Sequence, residues 1–301
     1  MRPCISSTFS PLPVTKQSAC QSASLRYSEQ ALLLYFAYTS ILGLCLGVRG
    51  FSRAELLALN AGLFAGFFFL SRAPLAAEWR DLIPYPLGLL CYREAGWLAS
   101  AVKPHHLEQR WIGWDRLVLD SWHGRDVIES VGAVVPSILE AAYLSVYIIG
   151  PLAVGVLYFY RRREEVDRLW LAFLLGLMLS YVQFPFWPSE PPRTVFPDLD
   201  LPSFLTPLRR LNLYLVGNYG IHSSVFPSAH VSGAVAGALM LRRLLPERRW
   251  VGNLFLGMAA LIAIATVYGR YHYLVDALAG TAVGVLAYRI GRLPRFDRAG
   301  L

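Results

Sequence analysis

Apolar residues along this chain come in long unbroken runs, not in the alternating or one-faced patterns of a soluble fold. Eight runs stand out, at residues 30–48, 54–70, 82–102, 131–160, 169–187, 223–241, 251–268 and 271–290. A helix needs about 20 apolar residues to cross a hydrocarbon core of about 30 Å, and most of these runs are close to that length or beyond it. The pattern predicts an all-α fold, a polytopic membrane helical bundle of about 6–8 transmembrane helices. The run at 82–102 is the weakest, because Arg93 and Glu94 fall inside it; it lies in the interface if it does not cross.

Residues 1–29 are rich in Ser, Pro and Gln and read as a disordered tail. Residues 103–129 are polar and aromatic, with Trp111, Trp114 and Trp122, and fit an amphipathic interfacial helix. His105, His106 and His123 fall there and read as ordinary interfacial histidines. There is no internal repeat. The expected division is a tail at 1–29, membrane and interfacial helices at 30–130, a membrane core at 131–292 and a short tail at 293–301.

Composition supports a membrane chain. Apolar residues make up 55% and charged residues only 16% of 301 positions, against about 25% charge in soluble domains. The net charge of +8 comes mostly from arginine, with lysine only at Lys16 and Lys103. These arginines cluster in short links between apolar runs, which points to topology and anionic headgroups, not to nucleic acid. Cys4, Cys20, Cys45 and Cys91 have no spacing that suggests a metal site, a redox pair or a disulfide framework.

The arginine links also orient the bundle. Arg161-Arg162-Arg163, the set Arg242, Arg243, Arg248 and Arg249, and the C-terminal Arg289, Arg292, Arg295 and Arg298 all fall on one side if spans four to eight alternate. The positive-inside bias makes that side cytoplasmic. Arg193, His230 and His272 then share the extracytoplasmic side.

Ionisable groups at membrane depth are costly and point to function. His272 and Asp276 are four apart, so on a helix they share a face. A carboxylate that holds one imidazole nitrogen leaves the other free as nucleophile or base, and the same pair also serves as a structural clamp. Pro227 suits a first helical turn, where free N–H groups and the Ser228 hydroxyl favour an anion. His230 is placed to protonate a leaving oxygen. Arg193, in the proline-stiffened stretch 187–193, can present a planar fork to phosphate. Together these groups offer what phosphoryl transfer needs, namely positioning and charge stabilisation. Two imidazoles and a carboxylate are also zinc-compatible, though nothing else resembles a metal cage. No glycine-rich nucleotide loop is present.

At these residues the chain resembles the type 2 phosphatidic acid phosphatase superfamily, and within it the branch containing inositol phosphorylceramide synthases. The superfamily's Pro-Ser-Gly-His motif is matched by Pro227, Ser228, Ala229 and His230, with Ala for Gly. Its His-x-x-x-Asp motif with a nearby glycine is matched by His272, Asp276 and Gly280. Its first motif, a lysine followed by Arg-Pro, is reduced here. Phe186 stands at the lysine position, and Pro191-Pro192-Arg193 remains. Thr266 stands where the third motif has an arginine; on an uninterrupted helix Arg270 lies one turn later on the same face and replaces it.

The resemblance implies a phosphatidic acid phosphatase-type catalytic core in the C-terminal half. It implies that His272 attacks phosphorus, Asp276 orients it and His230 exchanges the proton. Arg193, Ser228 and Arg270 would bind the substrate phosphate. It implies no cofactor and no metal. The partners would be membrane lipids, namely a phospholipid or lipid phosphate and an acceptor that is water or a lipid hydroxyl. A non-catalytic lipid-binding or transport protein stays open beside this reading. A serine protease built on Ser228 is disfavoured, because Ser228 and His230 project in different directions from a helix.

Overall fold

The computed structural model describes residues 25–48, 50–72, 77–99, 106–221 and 224–293. His105, His222, Ser223 and most of the predicted N- and C-terminal tails lie outside the described residues. The described residues are helical with no strand. The helices are α1 (Tyr27–Cys45), α2 (Arg53–Leu70), α3 (Ala77–Leu82), α4 (Pro84–Leu98), α5 (His106–Arg116), α6 (Gly124–Glu129) and α7 (Val134–Leu144). They continue with α8 (Ile149–Phe159), α9 (Val166–Tyr181), α10 (Pro192–Val195), α11 (Pro207–Tyr219), α12 (Ala229–Leu244), α13 (Arg249–Tyr268) and α14 (Leu274–Gly291).

Every predicted run contains helix, but few helices are full spans. Among the described residues three stretches are long and apolar enough to cross a membrane: α2, 246–268 and α14. A fourth, α7 with α8, qualifies only as a broken pair bent by 75°. The chain is an all-helical membrane protein, and three or four spans among its described residues meet this length and hydropathy; the other helices of the expected six to eight are shorter or less apolar. That difference has local causes. At 16 residues each, α9 and α12 reach only about 24 Å. In α1 the first turn holds Ser28, Glu29 and Gln30, which dilute its apolar character.

The break between α7 and α8 corrects the single span expected over 131–160. Pro151 sits in the first turn of α8 and has no N–H to give the carbonyl four residues back. That carbonyl belongs to Tyr147, and it accepts instead from the Tyr85 hydroxyl at 2.8 Å. The segment 103–129 is also not one interfacial helix. It forms α5, a π turn at Leu117–Ser121, and α6. Its Glu108, Ile112 and Asp115 are all buried.

At the centre α12 packs on α9, α13 and α14. Small residues permit this close approach. A Cβ on Gly176 would lie 2.7 Å from Ser232 O, and one on Gly280 only 2.5 Å from Ser228 O. The arginine-rich links gather at one end of the bundle. Arg162 Nη2 meets Glu247 Oε1 at 2.9 Å, and Gly291 approaches Ala172 and Met240. The motif histidines lie at the opposite ends of the same helices.

Candidate functional site

Two helix starts and one loop build the site. In α12 the first residue is Ala229. Ser228 is its cap, taking Val231 N–H at 3.5 Å, and Pro227 precedes the helix instead of sitting in its first turn. His230 follows one residue later. In α14 the first residue is Leu274, so His272 lies just before the helix and not on it. The expected His272–Asp276 contact nonetheless forms, with Nδ1 to Oδ2 at 3.3 Å. The Asp276 carboxylate also caps α14, accepting Tyr273 N–H at 2.9 Å.

The hydrogen bonds set the tautomers. His272 Nδ1 lies 3.0 Å from Val225 O, which can only accept, so Nδ1 carries the proton. In the neutral ring Nε2 is then the lone-pair atom. It faces His230 Nδ1 at 3.2 Å, so His230 Nδ1 donates to it and His230 Nε2 is the acceptor. The two imidazoles are 42 residues apart in sequence and touch directly. His272 is 5% exposed and Asp276 is fully buried.

Arg193 completes the group. Its backbone N–H donates to Arg270 O at 3.2 Å and its Nη1 to Tyr271 O at 3.4 Å. Its guanidinium lies 5.7 Å from the Tyr271 ring centre. Among the described residues it meets no carboxylate. A cavity of about 460 Å³ is lined by Arg193, His230 and His272 together. Its other walls are mostly apolar and aromatic. A partly buried guanidinium without a carboxylate partner among the described residues, beside a lone-pair nitrogen and at the head of an apolar cavity, is an arrangement for an anion carried by a greasy molecule.

The structure does not bring Ser228 and Arg270 to that cavity. Ser228 is fully buried as a helix cap. The helix over 266–270 is interrupted, since α13 ends at Tyr268 and Arg270 has φ +65°. Arg270 is therefore not on the Thr266 face. Its Nη1 pairs with Asp115 Oδ2 at 2.8 Å, with both side chains buried. Asp115 Oδ1 also accepts Leu274 N–H at 2.8 Å. Burial, only partly opposed by that N–H and by Arg270, pushes the Asp115 carboxyl up to about 6.

Other residues of the site were not singled out beforehand. Arg93, which weakened the third run, lines the cavity as a second cation and donates to Tyr219 O at 3.1 Å. Its placement within an apolar run was the available signal. Glu140 anchors the loop before His272, accepting from Arg209 Nη1 at 2.9 Å, Asn212 Nδ2 at 2.7 Å and Tyr271 OH at 2.7 Å. Tyr143 stacks on Tyr271 with centroids 3.9 Å apart and leans on His230. Elsewhere, His123 pairs with Asp126 at 2.8 Å in an exposed turn. No cluster of three or more His, Cys, Asp or Glu suited to a metal ion occurs among the described residues.

Residues 115–290, more than half of the chain, match the family described as the PAP2 superfamily. The chain belongs to the PAP2 superfamily. A PA-phosphatase related-family protein of Dictyostelium discoideum is 41% identical over 66 residues, which is 22% of this chain and 11% of that relative. The aligned part of the chain thus spans about a tenth of the relative's length. No solved structure matches the chain. The chain is thus a PAP2-superfamily member with several apolar helices that are candidate membrane spans.

Proposed function

We propose that this protein is an integral membrane, metal-independent lipid phosphatase or phosphotransferase that works through a phosphohistidine on His272. The observation that carries the reading is the lone-pair Nε2 of His272 beside His230 and the unpaired Arg193 at the head of one apolar cavity. His272 Nε2 attacks phosphorus while the bond from phosphorus to the lipid oxygen breaks. His230, protonated on both ring nitrogens when substrate is bound, gives that oxygen a proton and is left neutral. An acceptor hydroxyl then returns a proton to His230 and attacks phosphorus, which breaks the P–N bond and frees His272.

Arg193 holds the phosphate oxygens and takes up their growing charge. Asp276 and Val225 O keep the proton on Nδ1, so Nε2 stays the attacking atom. At 3.2 Å the two rings leave no room for a phosphoryl group, so His230 swings aside when substrate enters. Arg270 acts as a positioning residue, tying the loop before α14 to α5 through Asp115, and Ser228 stabilises the start of α12 as its cap.

We also infer that the site opens on the extracytoplasmic side, because the arginine-rich links lie at the other end of the bundle. The losses at Phe186 and Thr266 support transfer of a phospho-headgroup, inositol phosphate-like, to a lipid hydroxyl. The test is to incubate the purified protein with a radiolabelled phospholipid, with and without ceramide or diacylglycerol. A labelled new lipid that depends on the added hydroxyl supports transfer. Free phosphate or free headgroup phosphate alone supports the phosphatase. No turnover of any phospholipid, with lipid still bound, supports the non-catalytic carrier.

A further inference from the structure

The cavity continues well past the histidines. Trp170 and Tyr181 both line it, and they lie eleven positions apart on α9, or about 16 Å at the helical rise. Tyr85 and Gly88 on α4 form the facing wall, and Gly150 at the start of the bent α8 lies at the deep end with Trp170. The rim reaches the outside of the bundle, since Leu89 is 45% and Tyr219 59% exposed and both line the cavity. A molecule can thus enter sideways from the lipid phase.

One polar end and a long apolar body fit one class of occupant, a phosphate-bearing amphiphile with an extended hydrocarbon chain. Much of the wall belongs to α4, which precedes residues 115–290 and so lies outside the family region. Gly88 is the narrow point. A Cβ there would lie 3.1 Å from Leu174 Cδ2 and 3.9 Å from Leu177 Cδ1, two side chains that also line the cavity. We propose that α4 and α9 form the binding site for one hydrocarbon chain of the substrate, and that Gly88 sets how much of the chain fits.

The inference rests on the proposed function for the phosphate end, so its test reads binding and not turnover. The probe is phosphatidic acid with a diazirine at the tip of one eighteen-carbon chain, given in nanodiscs to the full-length His272→Ala protein. Crosslinks are expected on 85–89 and 170–177. Crosslinks confined to outward residues such as Leu254 and Leu278 overturn the proposal. Gly88→Leu in the same background should cut crosslinking of the long probe about 15-fold, the cost of displacing roughly two methylenes, and spare an eight-carbon probe. Equal loss for both probes, or loss for neither, overturns it. If Gly88→Leu does not fold, Gly88→Ala is read by the same comparison of long and short probes, since its Cβ meets only the side-chain ends of Leu174 and Leu177 and no backbone. Cavity crosslinks on a protein that turns over no lipid would leave this site standing and remove the proposed reaction.

Discussion

Glu140→Ala removes the acceptor from between three buried donors. The Glu140 and Arg209 side chains are 3% and 5% exposed, so the guanidinium would lose its charge partner without gaining water. It would keep only Gly269 O, at 3.2 Å. Removing one member of such a pair costs about 3–5 kcal/mol. The Tyr271 hydroxyl loses its acceptor and the Asn212 amide keeps only Glu140 O, at 2.9 Å; these losses add about 1 kcal/mol each. At roughly 2–4 °C per kcal/mol, Tm should fall by at least about 10 °C. Heat unfolding in detergent at pH 7, followed by tryptophan fluorescence, reads this. Because the loss comes mainly from an uncompensated charge, Glu140→Ala combined with Arg209→Leu should recover about 2 kcal/mol or more relative to the sum of the single changes. Turnover should fall too, since Tyr271 adjoins His272 and its carbonyl holds Arg193. A single variant that melts within about 1 °C of wild type, or strictly additive changes, would refute the reasoning.

Three further outcomes follow from the same geometry. Gly280→Ala places a Cβ 2.5 Å from Ser228 O, so α14 must move from the start of α12 and part the histidines. A displacement near 1 Å costs roughly 100-fold in kcat, and unchanged kcat in steady-state assays would count against the shared site. Ser228→Ala should lose about 1 kcal/mol of stability with turnover near wild type, because Ser228 caps a helix and does not line the cavity; a large loss of kcat with unchanged Tm would return Ser228 to the phosphate. Asp115 titrates near 6 when folded, above its free value of 3.8, so wild type should lose stability relative to Asp115→Asn as pH rises from 4 to 6. Melting both proteins at the two ends of that window checks the sign.

Much of the fold was legible because hydrophobic runs dictate helices when no water can satisfy the backbone. The sequence did not reveal where helices stop. Pro151 breaks the fourth run, and Ser228 and Tyr273 begin α12 and α14 later than the apolar runs do. Spacing drew attention to His272 and Asp276 by a helical argument, although His272 stands before the helix; the contact survives because Asp276 reaches back over the helix start. Arg270 was misplaced for the opposite reason, since a left-handed residue after α13 turns it toward Asp115. Asp115 itself was hidden by its setting. Glu108, Ile112 and Asp115 share one face of α5, and acids on such a face read as solvated until the neighbours that bury them are known.

The central claim is that phosphorus passes through one particular nitrogen. Protein turning over a lipid labelled with ³²P at the phosphate should be quenched in alkali, digested and mapped. The account predicts an acid-labile label on Nε2 of His272, absent from His272→Ala and accumulating in His230→Ala, where the acceptor is no longer activated. Label on His230 or Ser228, or efficient turnover by His272→Ala, would contradict it.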